Sequence, residues 1–400
     1  MQRVSRIHNV FSKLKQREPM FARLKTPFFL LLEDDQEAHL KMLEHSARGR
    51  FEIFYVYKTN LNPRICEMTA QHGFGAEVVN LQEMKRAVRI HGKVLLNGIH
   101  KTDEELLFAI RNSKVRIIVD CLEEIQRIAE LSSGKRVPVG IRISLPGEWH
   151  RYGISSKDLP KAFSSDAIMV EGLHVHNGHE KDFSTDRQNM LYLRKIIQKN
   201  RKHLTNMKWV DIGGGFFPGG YGRFSQVRSA AKRLGASFLA KPSIRDFDYK
   251  DVLGLLNNIH RFFIRYIVPV CPQEPKLYIE PGMLIANPNI YFITKVVSKK
   301  AGYIVVDGGT NNLPVMKGKA HIVVNLSTKG DLRRINGPVS GPLPRFCDVV
   351  ADYYFGDTAQ IGDLIAIADA GAYTYSYAHF FVRPVAHFYT IKDGRIRKIG

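Results

Sequence analysis

Cysteine is scarce in this sequence of 400 residues, and its four cysteines lie far apart. They form no Cys-x-x-Cys pair, which argues against a zinc site and against a disulfide framework. Unpaired thiols suit a reducing compartment, so the sequence predicts a cytoplasmic protein without a structural metal. The four are Cys66, Cys121, Cys271 and Cys347.

Long apolar runs are absent as well. The run from Phe28 to Leu32 ends at Glu33, far short of the roughly 18 to 20 apolar residues that a membrane helix needs. Membrane insertion is therefore not expected. The segment from Met1 to Arg17 is basic and contains no acid, which would suit a transit peptide. It has no apolar segment or small-residue cleavage site, so an ordinary basic helix is the favoured interpretation.

Acidic residues are few, with 38 Asp and Glu against 59 Lys and Arg and a net charge of +21. Such an excess raises the question of nucleic-acid binding. The basic residues are scattered, with enrichment at 223–245 and 392–398, and aromatic residues are not interleaved with them. Nucleic-acid binding is thus a minor alternative. The positive charge could instead attract an acidic substrate.

Short apolar segments alternate with amphipathic helical segments between Phe51 and Gly282, which is typical of parallel β/α units. Eight such segments over about 230 residues predict a closed (β/α)8 barrel resembling the TIM barrel, and hence an α/β fold. The predicted strands are Glu52 to Tyr57, Ala76 to Val79, Val94 to Asn97, Arg116 to Asp120, Val137 to Ser144, Gly172 to His176, Lys208 to Ile212 and Lys276 to Ile279.

After Asn287 the apolar pattern becomes that of strands, which predicts a second, mostly β domain. A hairpin turn is expected at Lys392-Asp393-Gly394. Between Phe216 and Lys250 the pattern loosens, and we interpret this basic segment as an elaborated loop, with disorder as the alternative. The predicted strands of the second domain are Tyr291 to Val297, Tyr303 to Val306, His321 to Asn325, Leu364 to Ile367 and Val385 to Ile391.

Lys58 directly follows the apolar segment Phe54-Tyr55-Val56-Tyr57. Barrel enzymes carry their reactive groups at such strand ends, and a lysine in an apolar pocket can lose its proton and form a Schiff base. Lys58 is therefore the candidate for covalent chemistry. Taken alone, it could equally be a solvated lysine after a strand.

An ordered set of motifs follows Lys58, and together they resemble the ornithine and diaminopimelate decarboxylase family from about Thr26 to Pro384. Each motif is common by itself, whereas their order and spacing are specific. The motifs are Gly75-Ala76-Glu77, Gly172-Leu173-His174-Val175-His176-Asn177-Gly178, Asp211-Ile212-Gly213-Gly214-Gly215, Glu280-Pro281-Gly282, Gly341-Pro342 and Asp369-Ala370-Gly371-Ala372-Tyr373.

The resemblance implies a pyridoxal phosphate enzyme with the alanine-racemase-like architecture called fold type III. It implies a cofactor-binding barrel over residues 27–283 and a β domain over residues 1–26 and 284–400. Members of the family form head-to-tail homodimers with active sites at the subunit interface. The implied reaction is loss of the α-carboxylate of an amino-acid substrate as carbon dioxide.

The resemblance also assigns roles to the residues of the motifs. Lys58 would bind the cofactor aldehyde, Glu280 would pair with the pyridine nitrogen, and His176 would stack on the ring. A glycine triplet could offer backbone N–H groups to the phosphate. Tyr373 would reach phosphate and substrate from the β domain. The other expected cofactor-binding residues are Glu77, Arg142, His179, Gly213, Gly214, Gly215 and Gly282.

Several positions depart from the family pattern. Met283 stands where the family usually has a phosphate-binding arginine, and His179, in place of a serine, could act as a donor instead. Pro344 replaces the cysteine that serves as proton donor in the partner's site. Cys347, three residues later, is the candidate replacement, with a small buried residue as the alternative interpretation.

Arg345 is the most informative departure. Family members that use diamino acids have an acidic residue there to bind the distal ammonium group. An arginine would repel ornithine or lysine and favour an anionic distal group through bidentate pairing. The sequence therefore predicts a decarboxylase of an amino acid or conjugated amino acid with an anionic distal group, as in polyamine or siderophore biosynthesis.

Two other functions fit the same fold. A noncatalytic homologue resembling the antizyme inhibitors would explain the departures at Met283, His179 and Pro344. It would not explain why Lys58 and Glu280 are retained. An amino-acid racemase would need an acid or base on each face of Cα, and the glycine and glutamate motifs resemble the decarboxylases.

Overall fold

The computed structural model of the protein describes residues 1–17, 24–146, 151–176, 182–216, 249–300, 302–314 and 321–399. The basic segment 223–245 and His179 lie outside the described residues. The strands are β1 Phe28–Leu32, β2 Glu52–Val56, β3 Gly75–Val78, β4 Val94–Leu96, β5 Val115–Val119, β6 Val137–Arg142, β7 Ile168–His174, β8 Trp209–Asp211, β9 Lys276–Ile279, β10 Ile290–Lys300, β11 Tyr303–Val306, β12 Val323–Asn325, β13 Arg334–Ser340, β14 Val349–Phe355, β15 Leu364–Ile367, β16 His387–Lys392 and β17 Arg395–Ile399. The helices are α1 Gln2–Arg17, α2 Glu33–Ala47, α3 Pro63–Gln71, α4 Leu81–Ile90, α5 Asp103–Ile110, α6 Leu122–Leu131, α7 Leu159–Phe163, α8 Phe183–Asn200, α9 Tyr249–Tyr266 and α10 Gly282–Ala286.

Strands β2 to β9 close into a parallel barrel in chain order. The predicted barrel is confirmed, and each of its eight predicted strands overlaps an observed one.

Side-chain hydrogen bonds cap the first turns of helices between the barrel strands. The Asn62 side chain accepts a hydrogen bond from the Arg64 N–H at the start of α3, and Thr102 and Glu105 form a reciprocal capping box at α5. These contacts satisfy N–H groups that a helix start leaves unpaired.

Aromatic rings fill the interior of the barrel. Trp209 and Tyr278 stack with their ring centroids 5.1 Å apart, and the ring of Phe54 packs against Tyr278. Two glycines make room for the indole, because a Cβ at Gly172 or Gly140 would lie only 2.1 or 2.2 Å from Trp209 atoms. The barrel is thus a packed core rather than a pore.

The remaining strands form a nine-stranded sheet in the order β11-β13-β14-β12-β15-β10-β1-β16-β17. This is the predicted second, mostly β domain, and all five of its predicted strands overlap observed ones. Strands β13 and β14 were not predicted. They carry Gly337, Pro338 and Asp352, and these residue types weaken the pattern by which strands are recognised.

Strand β1 corrects the expected boundary of the barrel at residue 27. It lies inside the sheet, antiparallel to β10 and parallel to β16. Its side chains alternate between two apolar cores. Phe29 and Leu31 join the core shared with the barrel, whereas Phe28 and Leu30 join a second core on the opposite face. A fully apolar strand is required because both of its faces are buried.

Helix α1 covers this second core. Val4, Ile7 and Phe11 are buried there, and the Phe11 ring meets Tyr291 edge-on at 5.0 Å. The basic N-terminal segment is therefore an amphipathic helix packed on the sheet. Within the part of the chain that the structure describes, no helix is long and apolar enough to cross a membrane.

Candidate active site

The candidate site lies where the barrel strands end. Lys58 follows β2, His176 follows β7, and Glu280 follows β9. Glu77 and Arg142 belong to the last two residues of β3 and β6. Because parallel strands place their carboxyl ends at one rim of a barrel, these side chains converge there.

Lys58 sits in a 3-10 turn, Tyr57–Thr59, that directly follows β2. Its Nζ donates to both oxygens of Glu77, at 2.7 and 2.9 Å. The Glu77 side chain is fully buried, whereas that of Lys58 is 42% exposed. Burial acts to lower the pKa of Lys58, but attraction to Glu77 and Glu280 outweighs it, and the pKa is raised. The amine must therefore release a proton before it can attack a carbonyl carbon.

Glu280 is buried at the centre of the site. Burial, with the negative charges of Asp211 and Glu77, raises the pKa of Glu280 well above its usual range, against the opposing charges of Lys58 and Arg142. Its Oε1 has no hydrogen-bond partner among the described residues, and the nearest cationic candidate is His174 Nε2 at 3.8 Å. A protonated ring nitrogen is the kind of group that would satisfy this oxygen.

Two histidines lie side by side in this region. His176 stacks on the buried His174 with ring centroids 6.4 Å apart and an interplanar angle of 22°. The histidines are two positions apart in sequence, so they project from the same side of an extended chain. The sequence predicts no separate role for His174 or Asp211, which occur within its motifs. The His-Val-His spacing was the signal that could have marked His174 as a member of the site.

The glycine triplet shapes the site more than expected. Gly213 has φ +68°, and a Cβ there would lie 2.6 Å from His176 Nδ1. A Cβ at Gly214 would lie 2.6 Å from the Glu280 carbonyl oxygen. The Gly213 N–H donates to Asp211 Oδ1 at 2.8 Å. A side chain therefore already uses the N–H donor of Gly213, and the expected binding of the phosphate by the triplet stays a prediction.

Arg142 lies between acidic and aromatic groups. Its guanidinium is 3.7 Å from Asp120 Oδ1 and lies over the Tyr152 ring at 4.5 Å. Burial raises the pKa of Asp120, and Arg142 opposes that shift. Arg142 thus adds a fixed positive charge near Glu280.

Two contacts support the turn that carries Lys58. A Cβ at Gly282 would lie 2.3 Å from Thr59 Oγ1, so the close approach of α10 to this turn requires glycine. From the β domain, the Tyr373 N–H donates to the Thr59 carbonyl at 2.8 Å. Burial raises the pKa of the Tyr373 hydroxyl, and the nearby Lys58 opposes that rise. The structure therefore brings Tyr373 to the rim beside Lys58.

Arg345 and Cys347 are not brought to Lys58 by any contact between described side chains of one chain. Arg345 donates to Thr310 Oγ1 and lies 5.6 Å over the Phe381 ring, all within the β domain. Cys347 is exposed. The prediction that both belong to the active site can hold only if a second chain supplies them. His179 falls outside the described residues.

Residues 33–286 match the family model described as the pyridoxal binding domain of the pyridoxal-dependent decarboxylases. The chain belongs to this family. The match covers more than half of the chain and contains the whole barrel. This pyridoxal-dependent decarboxylase therefore uses pyridoxal phosphate as its cofactor, and the predicted enzyme class is confirmed.

Similar proteins agree with that assignment. A diaminopimelate decarboxylase of Archaeoglobus fulgidus is 26% identical over 370 residues, covering 86% of this chain and 81% of the relative. A 2-[(L-alanin-3-ylcarbamoyl)methyl]-2-hydroxybutanedioate decarboxylase of Staphylococcus aureus is 24% identical, covering 86% and 88%. The crystal structure of diaminopimelate decarboxylase from Helicobacter pylori, complexed with L-lysine, superposes with a TM-score of 0.76 at 21% identity, covering 95% of each chain. This last likeness shows the shared fold.

The residues of this decarboxylase fit its cofactor. The site contains an amine, a buried carboxyl oxygen without a hydrogen-bond partner among the described residues, and glycines whose Cβ atoms would fill the space beside His176 and Glu280. When bound, pyridoxal phosphate supplies an electron sink for the pair left behind by a departing carboxylate.

Proposed function

We propose that the protein decarboxylates an amino acid whose distal group is anionic, with Lys58 binding the cofactor aldehyde and Glu280 facing its ring nitrogen. His176 would lie against the ring face, and Tyr373 would limit the pocket on the side of the β domain. Glu77 would receive the proton that Lys58 must release, because its two oxygens already accept hydrogen bonds from Nζ. The enclosed carboxylates would keep the ring nitrogen protonated, and the cation Arg142 would oppose that protonation.

The surroundings of the Arg345 guanidinium are the observation that carries the choice of substrate. Its only hydrogen bond to a described side chain goes to the Thr310 hydroxyl, and its buried Nε has no partner there. The neighbouring Asp348 is occupied by the Thr310 N–H and hydroxyl and by the Leu343 N–H. A guanidinium without a carboxylate partner among the described residues favours an anion and disfavours an ammonium group.

The similar proteins support this choice to different degrees. The Staphylococcus aureus relative acts on a conjugated amino acid whose name ends in butanedioate, a dicarboxylate. Diaminopimelate, named for the Archaeoglobus fulgidus relative, carries both a carboxylate and an ammonium group at its distal end. Ornithine and lysine carry only an ammonium group at the distal end. From Arg345 we therefore expect the dicarboxylate to be the best substrate, and ornithine and lysine to be the poorest.

Carbon dioxide release from four candidate substrates tests this ranking. The substrates are ornithine, lysine, diaminopimelate and an alanine conjugate of a dicarboxylate. We expect the conjugate to exceed ornithine and lysine by roughly 10- to 100-fold in kcat/KM. Arg345→Glu should reverse that order, whereas Arg333→Glu, an exposed arginine of the same domain, should not. If ornithine or lysine is the best wild-type substrate, the argument from Arg345 is wrong.

Borohydride trapping with pyridoxal phosphate tests the assignment of Lys58. We expect peptide mapping to find one modified lysine, Lys58, and Lys58→Ala to abolish the label. Label scattered over surface lysines, or no label, would favour the noncatalytic partner-binding alternative.

We further propose that two chains share their active sites in a homodimer. The surface around Arg345 and Cys347 is apolar, with Phe346 100% exposed, Phe380 75% and Val382 54%. Large apolar side chains this exposed favour a protein interface. Burying it against a second copy would move Cys347 from bulk solvent to the partner's site, where its thiol could return a proton to the substrate carbon.

Mixing two inactive variants tests the shared site. Lys58→Ala and Cys347→Ala homodimers, dissociated and re-annealed together, should regain about a quarter of the wild-type activity, because half of the dimers then contain one intact site out of two. No recovery, with mixed dimers demonstrated by mass spectrometry, would show that Lys58 and Cys347 act in the same chain. An active Cys347→Ala homodimer would show that Cys347 has no catalytic role.

A further inference from the structure

Helix α1 is linked by one part-buried ion pair to Asp369, four residues before Tyr373. Arg3 donates to Asp369 Oδ1, across 366 positions of sequence. The Asp369 side chain is 3% exposed and that of Arg3 is 23% exposed. Among the described residues Arg3 is the sole ion-pair partner of Asp369, whose Oδ2 has no hydrogen bond there. A buried carboxylate with a single cationic partner depends strongly on that partner.

Asp369 begins the segment that carries Tyr373, which we call the Tyr373 segment, residues 369–374. Asp369 has φ +58° and Tyr373 has φ +54°, left-handed values that few non-glycine residues adopt. Such a conformation persists only where surrounding contacts fix it. The segment therefore needs anchors at both ends.

Hydrogen bonds anchor the far end on the turn that carries Lys58. The Thr59 carbonyl accepts from the Tyr373 N–H at 2.8 Å and from the Ser376 hydroxyl at 3.0 Å. The Gly371 carbonyl accepts from Asn60 Nδ2 at 2.8 Å. The position of the segment thus affects Lys58 directly.

Close packing fixes the middle of the segment. The Ala370 N–H donates to the Ile290 carbonyl at 3.0 Å, and a Cβ at Gly371 would lie 1.6 Å from the Ala286 carbonyl oxygen. Because the backbone at Gly371 packs directly against Ala286, a movement of either end of the Tyr373 segment would disturb these contacts. The Ala372 N–H also donates to Asn287 Oδ1 at 3.2 Å. At its start, the segment is held by the Asp369 carboxylate and its partner on α1.

We propose that Arg3 is a positioning residue for the active site, which holds the Tyr373 segment against the Lys58 turn through Asp369. Helix α1 then stabilises the Tyr373 segment at the rim of the barrel, in addition to covering the second apolar core. The consequence for catalysis rests on the proposed function, in which Tyr373 limits the substrate pocket. The consequence for the order of the segment does not.

The chain offers a matched control on the same helix. Arg6 pairs with Asp35 at 3.1 Å, and both side chains are exposed, at 71% and 38%. Arg6→Ala removes the same type of side chain from the same helix without touching Asp369. Arg3→Lys keeps the charge but loses the guanidinium geometry. Arg3→Ala/Asp369→Asn removes both charges, and asparagine tolerates a left-handed conformation.

Hydrogen–deuterium exchange of the full chain without added cofactor is the first measurement. In Arg3→Ala, we expect exchange of peptides within residues 368–377 to accelerate by roughly tenfold or more. Barrel peptides should be unchanged, Arg3→Lys should be intermediate, and the double variant should be closer to wild type than Arg3→Ala. Arg6→Ala should leave residues 368–377 unchanged.

Three results would overturn the proposal. They are unchanged exchange in Arg3→Ala, equal acceleration in Arg6→Ala, and an acceleration spread evenly over the barrel. If Arg3→Ala does not fold, the double variant decides, because it lacks the unpaired buried charge and should still show faster exchange than Arg6→Ala at residues 368–377. Wild-type exchange there in the double variant would also overturn the proposal.

Kinetics then separate the two levels of the inference. With the best substrate, Arg3→Ala should raise KM several-fold more than it lowers kcat, because Tyr373 limits the pocket, and Arg3→Lys should recover part of that loss. If exchange changes as expected while the wild type releases no carbon dioxide from any amino acid, the positioning role of Arg3 is supported and the proposed function is wrong. If exchange is unchanged in an active enzyme, only the positioning role of Arg3 is wrong.

Discussion

The buried carboxyl group of Glu280 lowers the stability of the folded protein at neutral pH. Its carboxyl group is buried beside Asp211 and Glu77, and its pKa is raised well above the usual range. Because the folded-state pKa exceeds the unfolded-state value of about 4.3, the group binds its proton more tightly in the folded protein. Its contribution to stability is present below the unfolded-state pKa and is lost as the pH rises through the folded-state pKa.

Glu280→Gln should therefore change stability and activity in opposite directions. Above neutral pH, the cofactor-free variant should be more stable than the wild type by about 1 to 3 kcal/mol, since glutamine carries no charge. Its kcat should fall by roughly 100-fold or more, because the ring nitrogen loses its acidic partner. Urea unfolding at several pH values checks the first effect. Glu130→Gln, at an exposed position, is the control, and an equal gain there would contradict the explanation.

Glu77 should set the pH at which Lys58 reacts. Because Glu77 and Glu280 raise the pKa of Lys58, removing the first charge should lower that pKa and move the midpoint of cofactor attachment to lower pH. We expect Glu77→Gln to show this shift and Glu77→Asp, which keeps the charge, to show less of it. Borohydride-trapped Lys58 measured against pH reports the midpoint, and identical midpoints would show that Glu77 does not control this proton.

At the scale of single residues, the sequence placed Lys58, His176, Glu280 and Arg142 at strand ends, and the barrel brings them to one rim. It could not show that the Gly213 N–H is already bonded to Asp211, because that contact depends on a local turn. Nor could it place Arg345, which contacts Thr310 within the β domain, or Cys347, which is exposed.

At the scale of elements, the barrel depends on the fit between glycines and one indole. Gly172 on β7 faces Trp209 on β8, and an added Cβ would lie 2.1 Å from the ring. A closed barrel offers little room for the strands to separate. The strand carrying Gly172 is therefore sensitive to a single methyl group.

Gly172→Ala should destabilise the protein by about 2 to 3 kcal/mol through overpacking. Gly254 in α9 has nothing within 4 Å of an added Cβ, and Gly254→Ala should stabilise by about 0.5 to 1 kcal/mol. The midpoints of urea unfolding measure both changes. Similar effects of the two substitutions would show that backbone entropy, and not the indole, decides the outcome.

The barrel elements were more predictable than the sheet because each parallel strand is a short apolar run followed by an amphipathic helix. Strand β1 was missed for a different reason. The run Phe28–Leu32 was visible, but α2 begins directly at Glu33, and local pattern does not show which sheet an apolar strand joins. Its two partners, β10 and β16, lie more than 250 residues away in sequence.

At the scale of the whole molecule, the exposed apolar surface around Phe346 has a measurable consequence. Phe346→Asp should convert the proposed homodimer to a monomer by placing a charge in the proposed interface. Light scattering checks the mass, and the monomer should lose activity while still binding cofactor at Lys58. Phe346→Leu is the control that keeps an apolar side chain. A dimer that survives Phe346→Asp with full activity would place the interface elsewhere.

The pairing of β1 with β16 also governs the order in which the protein can be made. Residues 33–286 supply the complete barrel as one continuous stretch, so it can close while the ribosome is still translating the remainder. The sheet cannot, because a strand near the start of the chain waits for one that ends at Lys392. Tyr373 comes from this late part of the chain. If it forms the proposed wall of the pocket, the active site is complete only after the sheet has formed, and not when the barrel closes.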